Sequence, residues 1–321
     1  MQYQVIAYYW IGKVEDPYAE IARHKEFFQN RDLKGRIYIS EQGINGQASG
    51  SEAHAADYIA WMKSDPRFQG IDFKIHRADE HAFPKATVKY RRQLVAIDCE
   101  VDFSERAEAV SPKMWKQMLE ERSEGTLLLD VRNDYEWEVG HFEGAELPEL
   151  ETFRQFPLYA KELKKKRDPK KTSVMMYCTG GIRCEFYSAV LKKEGFEKVY
   201  QLDGGVIGYG LQEGSEHWKG KLFVFDDRLV VPISEDKAGP IAVCKHCASP
   251  TDVYYNCANM DCNALFVCCL DCLKKHRGCC AQSCIDGGRV RPYQENAKPF
   301  RKWATQEKCR LSTTLNSANR A

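Results

Sequence analysis

The chain has 321 residues, 43% of them apolar and 29% charged, which suits two or three packed domains and excludes wholesale disorder. Its 47 Lys and Arg balance 46 Asp and Glu, so a net charge of +1 excludes a globally basic nucleic-acid binder but not a local basic patch. No apolar run approaches the roughly 18 residues of a membrane span. Residues 1–12 carry no basic leader, and a cytoplasmic protein is expected.

The first segment, 1–97, alternates strands and helices. Residues 3–11 read as a strand. Asp16-Pro17 starts a helix with Tyr18, Ile21, Ala22 and Phe28 on its apolar face. Residues 36–40 read as a second strand, and a short third follows the turn between Gly43 and Gly46. Ser51 caps a second helix, with Ala55, Tyr58, Ile59 and Met62 to one side. Residues 71–76 alternate apolar and polar as a fourth strand, and 87–97 form an extra one leading out. The order β-α-β-β-α-β predicts a ferredoxin-like sandwich.

The second segment, 111–218, opens with a helix capped at Ser111-Pro112. Residues 126–131, 173–177 and 198–202 are short apolar runs of the kind found in buried parallel strands. A helix from Cys184 to Glu194 lies between the last two, closed by Gly195. Strands alternating with helices predict a parallel α/β domain. The third segment, 219–321, is cysteine-rich and ends in a basic tail.

Between the second and third of these runs lies Cys178-Thr179-Gly180-Gly181-Ile182-Arg183-Cys184. Glycines let such a loop wrap tightly, so that its amides turn inward at a helix N-terminus and bind an anion. A cysteine held there is stabilised as thiolate, and Arg183 adds positive charge. The plain alternative, a structural cysteine at an ordinary turn, is disfavoured because strand, glycines, arginine and helix agree. For Cys184 core packing is preferred, with a resolving thiol as the alternative.

These residues resemble a rhodanese domain. Leu129-Asp130-Val131-Arg132 is similar to that family's first signature. Glu136-Trp137 and Gly140-His141-Phe142 continue it, and Val199-Tyr200-Gln201-Leu202-Asp203-Gly204-Gly205 resembles the closing one. The resemblance implies a persulfide-carrying role for Cys178 within the loop Thr179, Gly180, Gly181, Ile182 and Arg183. Four residues separate Cys178 from Arg183, the sulfur-sized loop; related phosphatases use one more, which disfavours phosphatase activity. Asp130 and Arg132 end a strand on the loop side of the sheet, and a supporting role is preferred for them over direct chemistry. Glu136 and His141 are read as pairing or capping groups.

The whole chain, including Ser40-Glu41-Gln42-Gly43-Ile44-Asn45-Gly46 and Phe223-Val224-Phe225-Asp226-Asp227-Arg228, resembles the bacterial rhodanese-related tRNA uridine-34 hydroxylases. That resemblance implies conversion of the wobble uridine to 5-hydroxyuridine, molecular oxygen as co-substrate and the tRNA anticodon region as partner. It implies no DNA or membrane partner. The alternatives are a sulfurtransferase carrying a persulfide on Cys178 and a non-catalytic adaptor, the latter opposed by the intact loop cysteine.

Ten of the 14 cysteines lie between Cys244 and Cys284. In a long chain without an export signal, such clustering points to metal or redox chemistry rather than a disulfide scaffold. Two-residue spacings let paired thiolates reach one ion. An interleaved arrangement assigns Cys244, Cys247, Cys269 and Cys272 to one site and Cys257, Cys262, Cys280 and Cys284 to another, with His246 and His276 as substitutes. Zinc is preferred, with an iron–sulfur cluster and disulfides as alternatives.

For RNA, the basic stretch 161–171, the group Lys85, Lys89, Arg91 and Arg92, and the basic C-terminal tail are the candidate phosphate contacts. Tyr293 and Trp303 are candidate stacking residues. A solvated charged face is the plain reading of the basic stretches.

Overall fold

The computed structural model describes residues 2–235 and 238–293. They divide into two compact units, one built from 2–137 and 141–235, the other mainly from 238–293. Trp303, Cys309 and the basic residues beyond position 293 lie outside the described residues. No helix among those described is long and apolar enough to cross a membrane.

The first unit begins with β1 (Tyr3–Ile11), α1 (Pro17–Phe28), β2 (Leu33–Ser40), β3 (Gly43–Ser51), α2 (Glu52–Lys63), β4 (Lys74–Ala78) and β5 (Ala86–Tyr90). The strand order β4-β1-β3-β2, with β1 antiparallel to both neighbours, is the expected ferredoxin-like sandwich. β5 extends it by pairing parallel with β2, Ile37 opposite Val88. Asp16 caps α1 by accepting hydrogen bonds from the Tyr18 and Ala19 amides, both at 2.9 Å. Tyr18 itself points outward, 67% exposed and stacked on Tyr90, and His24 is buried instead. Ser51 precedes α2, but its hydroxyl is engaged with His54 rather than a helix amide.

Side chains on a strand alternate between faces. Ile6, Tyr8, Ile37, Ile39, Ile44 and Ala48 enter the core under the helices with Tyr58 and Met62. The opposite face carries Tyr9, Arg36, Tyr38, Asn45 and Gln47.

The fourth strand departs from the expectation of 71–76. It starts three residues later, and its phase is reversed: Lys74 is 6% exposed and Ile75 39%. Ile71 reaches the core from the loop before the strand, where its amide bonds the Phe68 carbonyl. The strand is thereby free to turn its lysine inward.

The same unit continues with β6 (Glu108–Val110), α3 (Pro112–Glu120), β7 (Thr126–Asp130), α4 (Asp134–Trp137), β8 (Gly140–Phe142), α5 (Phe156–Lys166), β9 (Ser173–Tyr177), α6 (Ile182–Lys193), β10 (Lys198–Leu202) and α7 (Gly205–Glu213). β11 (Trp218–Gly220), β12 (Leu222–Phe223) and β13 (Val230–Val231) complete it. The sheet β6-β10-β9-β7 is parallel throughout. Both of its faces are covered, Leu127, Leu129, Val174 and Met176 packing to one side. Leu128, Met175 and Tyr177 pack to the other, against Trp115 and Phe142. β6 was not expected, since three residues with Glu108 exposed show no apolar run.

The expected third segment, 219–321, divides. Leu222, Val224 and Ile233 pack into the core with Trp115 and Tyr209. The cysteine-rich stretch forms the second unit, with the hairpin β14 (Tyr254–Asn256) and β15 (Leu265–Val267) and the short helices α8 (Leu270–Lys275) and α9 (Gln282–Asp286). Its small core is built largely from cysteines around Tyr255 and Phe266.

Candidate active site

β9 ends at Tyr177 and α6 begins at Ile182, so the Cys178 loop sits at the carboxyl edge of the parallel sheet, where such folds place their sites. Cys178 is fully buried, and the Gly181 amide donates to its Sγ at 3.2 Å. Burial pushes the thiol up. Hydrogen bonds from Cys184 Sγ and from the Cys184 and Gly181 amides, together with the Arg183 charge, outweigh it and bring the thiol down to about 6. At neutral pH the sulfur is therefore a thiolate. Cys184 is pushed well up, by burial first and then by Cys178, and stays a neutral donor.

The loop is gripped from two sides. Arg183 donates to Glu136, Nη1 to Oε1 at 2.5 Å and Nη2 to Oε2 at 2.8 Å, both residues being buried. Thr179 Oγ1 donates to the same carboxylate at 3.0 Å, and the Asn133 amide does so at 3.1 Å. Glu136 is buried, which alone would raise its pKa, but Arg183 and then Arg132 hold the carboxyl below its ordinary range. On the other side the Val206 and Ile207 amides, opening α7, donate to the Cys178 and Thr179 carbonyls at 3.0 Å each. Gly205, at φ +62°, is the residue that permits this approach: a Cβ there would lie 2.5 Å from the Cys178 carbonyl oxygen.

Asp130 and Arg132 form a fully buried pair, Arg132 Nε to Asp130 Oδ1 at 2.9 Å and Nη2 to Oδ2 at 2.6 Å. Arg132 Nη1 also donates to the Glu136 carbonyl at 3.3 Å. The pair thus reaches Cys178 through Glu136 and Arg183. His141 Nδ1 is engaged by the Trp137 carbonyl at 2.9 Å.

Above the thiolate lies a cavity of about 210 Å³. Its floor is Cys178, Thr179, Gly180 and Arg183, and Leu94, Val95, Phe153 and Phe225 make an apolar side. Its roof is the polar face of the N-terminal sheet, with Tyr9, Arg36, Tyr38, Asn45, Gln47 and Lys74. Tyr9 Oη donates to Glu185 at 3.0 Å, on the helix that follows the loop, and Arg36 donates to the Phe225 carbonyl at 3.3 Å. Burial, then the Glu185 carboxylate, raises the Tyr9 phenol far above its ordinary value and keeps it protonated. Sequence reasoning missed Lys74, Tyr9 and the pairing of Glu136 with Arg183. Glu136 had a local signal, its place in a signature, and of the roof only Asn45 did, within the motif at residues 40–46.

In the second unit the structure brings together Cys244, Cys247, Cys269 and Cys272, and separately Cys257, Cys262, Cys280 and Cys284, with all Sγ atoms of a group within 4.8 Å of one another. Individual separations are 3.7 Å for Cys247–Cys269, 3.7 Å for Cys262–Cys280 and 3.9 Å for Cys280–Cys284. A tetrahedron of thiolates about 2.3 Å from one zinc has edges of about 3.8 Å, so each group fits a single ion. An iron–sulfur cluster places several atoms between its cysteines and needs them further apart. His246 and His276 belong to neither group; their rings stack at 3.8 Å.

In the basic stretch 161–171 four of the seven basic side chains face carboxylates, two of these from elsewhere in the chain. Lys164 pairs with Glu194, Lys165 with Glu162, Arg167 with Glu146 and Lys171 with Asp168. Lys85, Lys89, Arg91 and Arg92 are exposed and have no carboxylate partner among the described residues; Arg91 lies 4.7 Å over the ring of Tyr38. That second group adjoins the cavity roof.

Family models match along the chain: a UPF0176 acylphosphatase like domain at residues 3–94, a Rhodanese-like domain at 111–211 and a Rhodanase C-terminal region at 219–285. A protein of Chlamydia pneumoniae named tRNA uridine(34) hydroxylase is 53% identical over 99% of this chain and 98% of its own length. A Protochlamydia amoebophila protein of the same name is 55% identical over 93% of each. Among solved structures, a rhodanese-like domain from Anabaena sp. covers 35% of this chain and 78% of its own at 21% identity and a TM-score of 0.29.

Proposed function

The chain belongs to the family of tRNA uridine(34) hydroxylases, and we propose that it hydroxylates C5 of the wobble uridine of tRNA with Cys178 as its reactive group. The observation that carries the reading is Cys178, its sulfur held by the Gly181 amide, at the floor of a cavity in a chain alike over nearly its whole length to enzymes of that name. The persulfide-transferring alternative is less favoured, because the likeness extends well beyond the loop, through the roof-forming domain and the cysteine-rich unit.

The role assigned to Cys178 is nucleophilic. Its thiolate adds to C6 of the uracil ring, the sulfur–carbon bond forming as the C5–C6 π pair moves onto C5 and O4. C5 then has the electron density that bond formation to oxygen requires. When the C5 proton is lost, the thiolate leaves and the ring is restored. The net change, C5–H to C5–OH with dioxygen as co-substrate, also yields one water and draws two electrons and two protons from a reductant. Glu136, through Arg183 and Thr179, keeps the loop in the shape that sustains the thiolate.

The anticodon is the region of tRNA that suits such a cavity, since a single-stranded base enters it without melting a duplex. At about 210 Å³ the space suits one base rather than an oligonucleotide. A tRNA substrate supports a cytoplasmic location. We assign one zinc ion to each cysteine group, as a structural element that orders the second unit.

The test is mass spectrometry of nucleosides from uridine-34 tRNA incubated with the purified protein, a reductant and air. The expected product is 5-hydroxyuridine at position 34, absent with Cys178→Ser. No product from a folded wild-type protein, beside turnover of thiosulfate at Cys178, would move the sulfurtransferase ahead.

A further inference from the structure

Resting on the reading that this cavity receives uridine 34, we propose that the polar face of the N-terminal sheet reads the base and that Lys74 is the residue that sets uridine apart from cytidine.

Lysines are almost never this buried unless paired. Lys74 is 6% exposed, and its one ionic partner among the described residues, Asp72 at 3.1 Å, is itself 78% exposed. An ammonium has three donors, so Asp72 leaves donors over. The side chain reaches the site: a Cβ on Gly204 would meet Lys74 Cε at 3.1 Å, and Gly204 precedes the glycine that cradles Cys178. The strand buries this lysine while exposing Ile75, against its own apolar pattern. A local rule broken in this way marks a functional position.

Asn45 and Gln47 lie on β3, across β1 from Lys74, two residues apart and so on one face, with Gln47 in the same row as Lys74 through Ala7. Neither carboxamide makes a hydrogen bond within the described residues, and both line the cavity. Uracil presents two carbonyl acceptors flanking the N3–H donor; cytosine presents an amino donor at C4 and an acceptor at N3. A carboxamide both donates and accepts and can turn over, so Asn45 and Gln47 suit either base. An ammonium only donates. Lys74 facing position 4 donates to the uracil O4 and leaves the cytosine amino group opposed by another donor, an unpaired arrangement that a desolvated site penalises. The same charge stabilises the electron density that reaches O4 when the Cys178 thiolate adds to C6.

The experiment measures how anticodon stem-loop RNAs, identical except for uridine or cytidine at position 34, shield Cys178 from alkylation by iodoacetamide. It needs no turnover, so it is independent of hydroxylation. In the wild type the uridine loop should shield at lower concentration than the cytidine loop. In Lys74→Met the uridine loop should need about tenfold more RNA and the gap should close. Each variant's alkylation rate without RNA is the reference against which its own shielding is scored, and circular dichroism reports an intact fold. Should Lys74→Met fail to fold, Lys74→Gln serves, its amide accepting as well as donating and so narrowing the same gap. Gln47→Leu should weaken both loops alike and keep the gap. A wild type shielded equally by the two RNAs, or a folded lysine variant with the gap intact, overturns the proposal. A preserved gap in a wild type that hydroxylates no tRNA would sustain this recognition and remove the hydroxylase reading alone.

Discussion

Glu136 and Arg183 hold each other through two parallel hydrogen bonds in the protein interior, 47 positions apart in the chain. The pair joins α4 to the first turn of α6 and closes the Cys178 loop between them. Its removal on one side leaves a buried guanidinium without its counter-charge. Glu136→Gln should therefore destabilise the first unit by about 3–5 kcal/mol, read from denaturant unfolding. A loss under about 1 kcal/mol would show that the pair is solvated.

The Cys178 thiol is lowered from its ordinary 9.0 to about 6. Iodoacetamide modification should accordingly rise with pH to half its maximum near pH 6, whereas an unperturbed thiol would do so about three units higher. Folding lowers this pKa, so between pH 6 and 9 the native state binds fewer protons at Cys178 than the unfolded chain. Its contribution to stability is complete above pH 9 and is lost as pH falls to about 6. Comparing the stability of wild type and Cys178→Ser across that window isolates it. Arg183→Gln should move the alkylation midpoint upward.

Gly205→Ala places a Cβ 2.5 Å from the Cys178 oxygen and 2.7 Å from both the Gly181 nitrogen and the Thr179 oxygen, at φ +62°. These are backbone atoms and cannot swing away, so the loop must shift. The expected result is a loss of about 1–3 kcal/mol and an alkylation midpoint returning toward that of an ordinary cysteine. Gly70→Ala, with nothing within 4 Å of its Cβ, is the control and should change neither.

Reductively purified protein should contain about two zinc ions per chain, and Cys247→Ser about one. A strong chelator should unfold the second unit, measured as new protease cleavage between residues 238 and 293. Coloured, iron-containing protein would replace zinc with a cluster. Metal-free protein that resists the protease would remove the metal sites.

Salt-dependent tRNA binding should locate the phosphate contacts. Neutralising Lys164, Lys165, Lys166 and Arg167 should change the salt slope little, because three of the four already face carboxylates. Neutralising Lys85, Lys89, Arg91 and Arg92, which lack such partners and adjoin the roof, should weaken binding and flatten the slope. The reverse ranking would place the RNA on the α5 side.

By itself the sequence determined what near neighbours along the chain can encode. The strand–glycine–arginine–helix succession at Cys178 is local, and a loop of six residues with its amides turned inward follows from those residue types alone. The cysteine spacings likewise pair the same eight thiols that the fold gathers, because two to four intervening residues let both members of a pair reach one point from a single turn. The apolar runs 126–131, 173–177 and 198–202 announce a parallel sheet for the same reason. Tertiary structure decided everything that depends on which distant faces meet. The alternation in 71–76 named Ile75 for the core, and only the sheet's position over the Cys178 loop turns Lys74 inward instead. The lysines of 161–171 read as a free basic patch because Glu146 and Glu194 come to two of its side chains from other parts of the chain. Arg183 finds Glu136 only when β7 and β9 lie side by side in register. Charge pairing and burial are set by through-space distance, and spacing along the chain constrains that distance only within a turn or two.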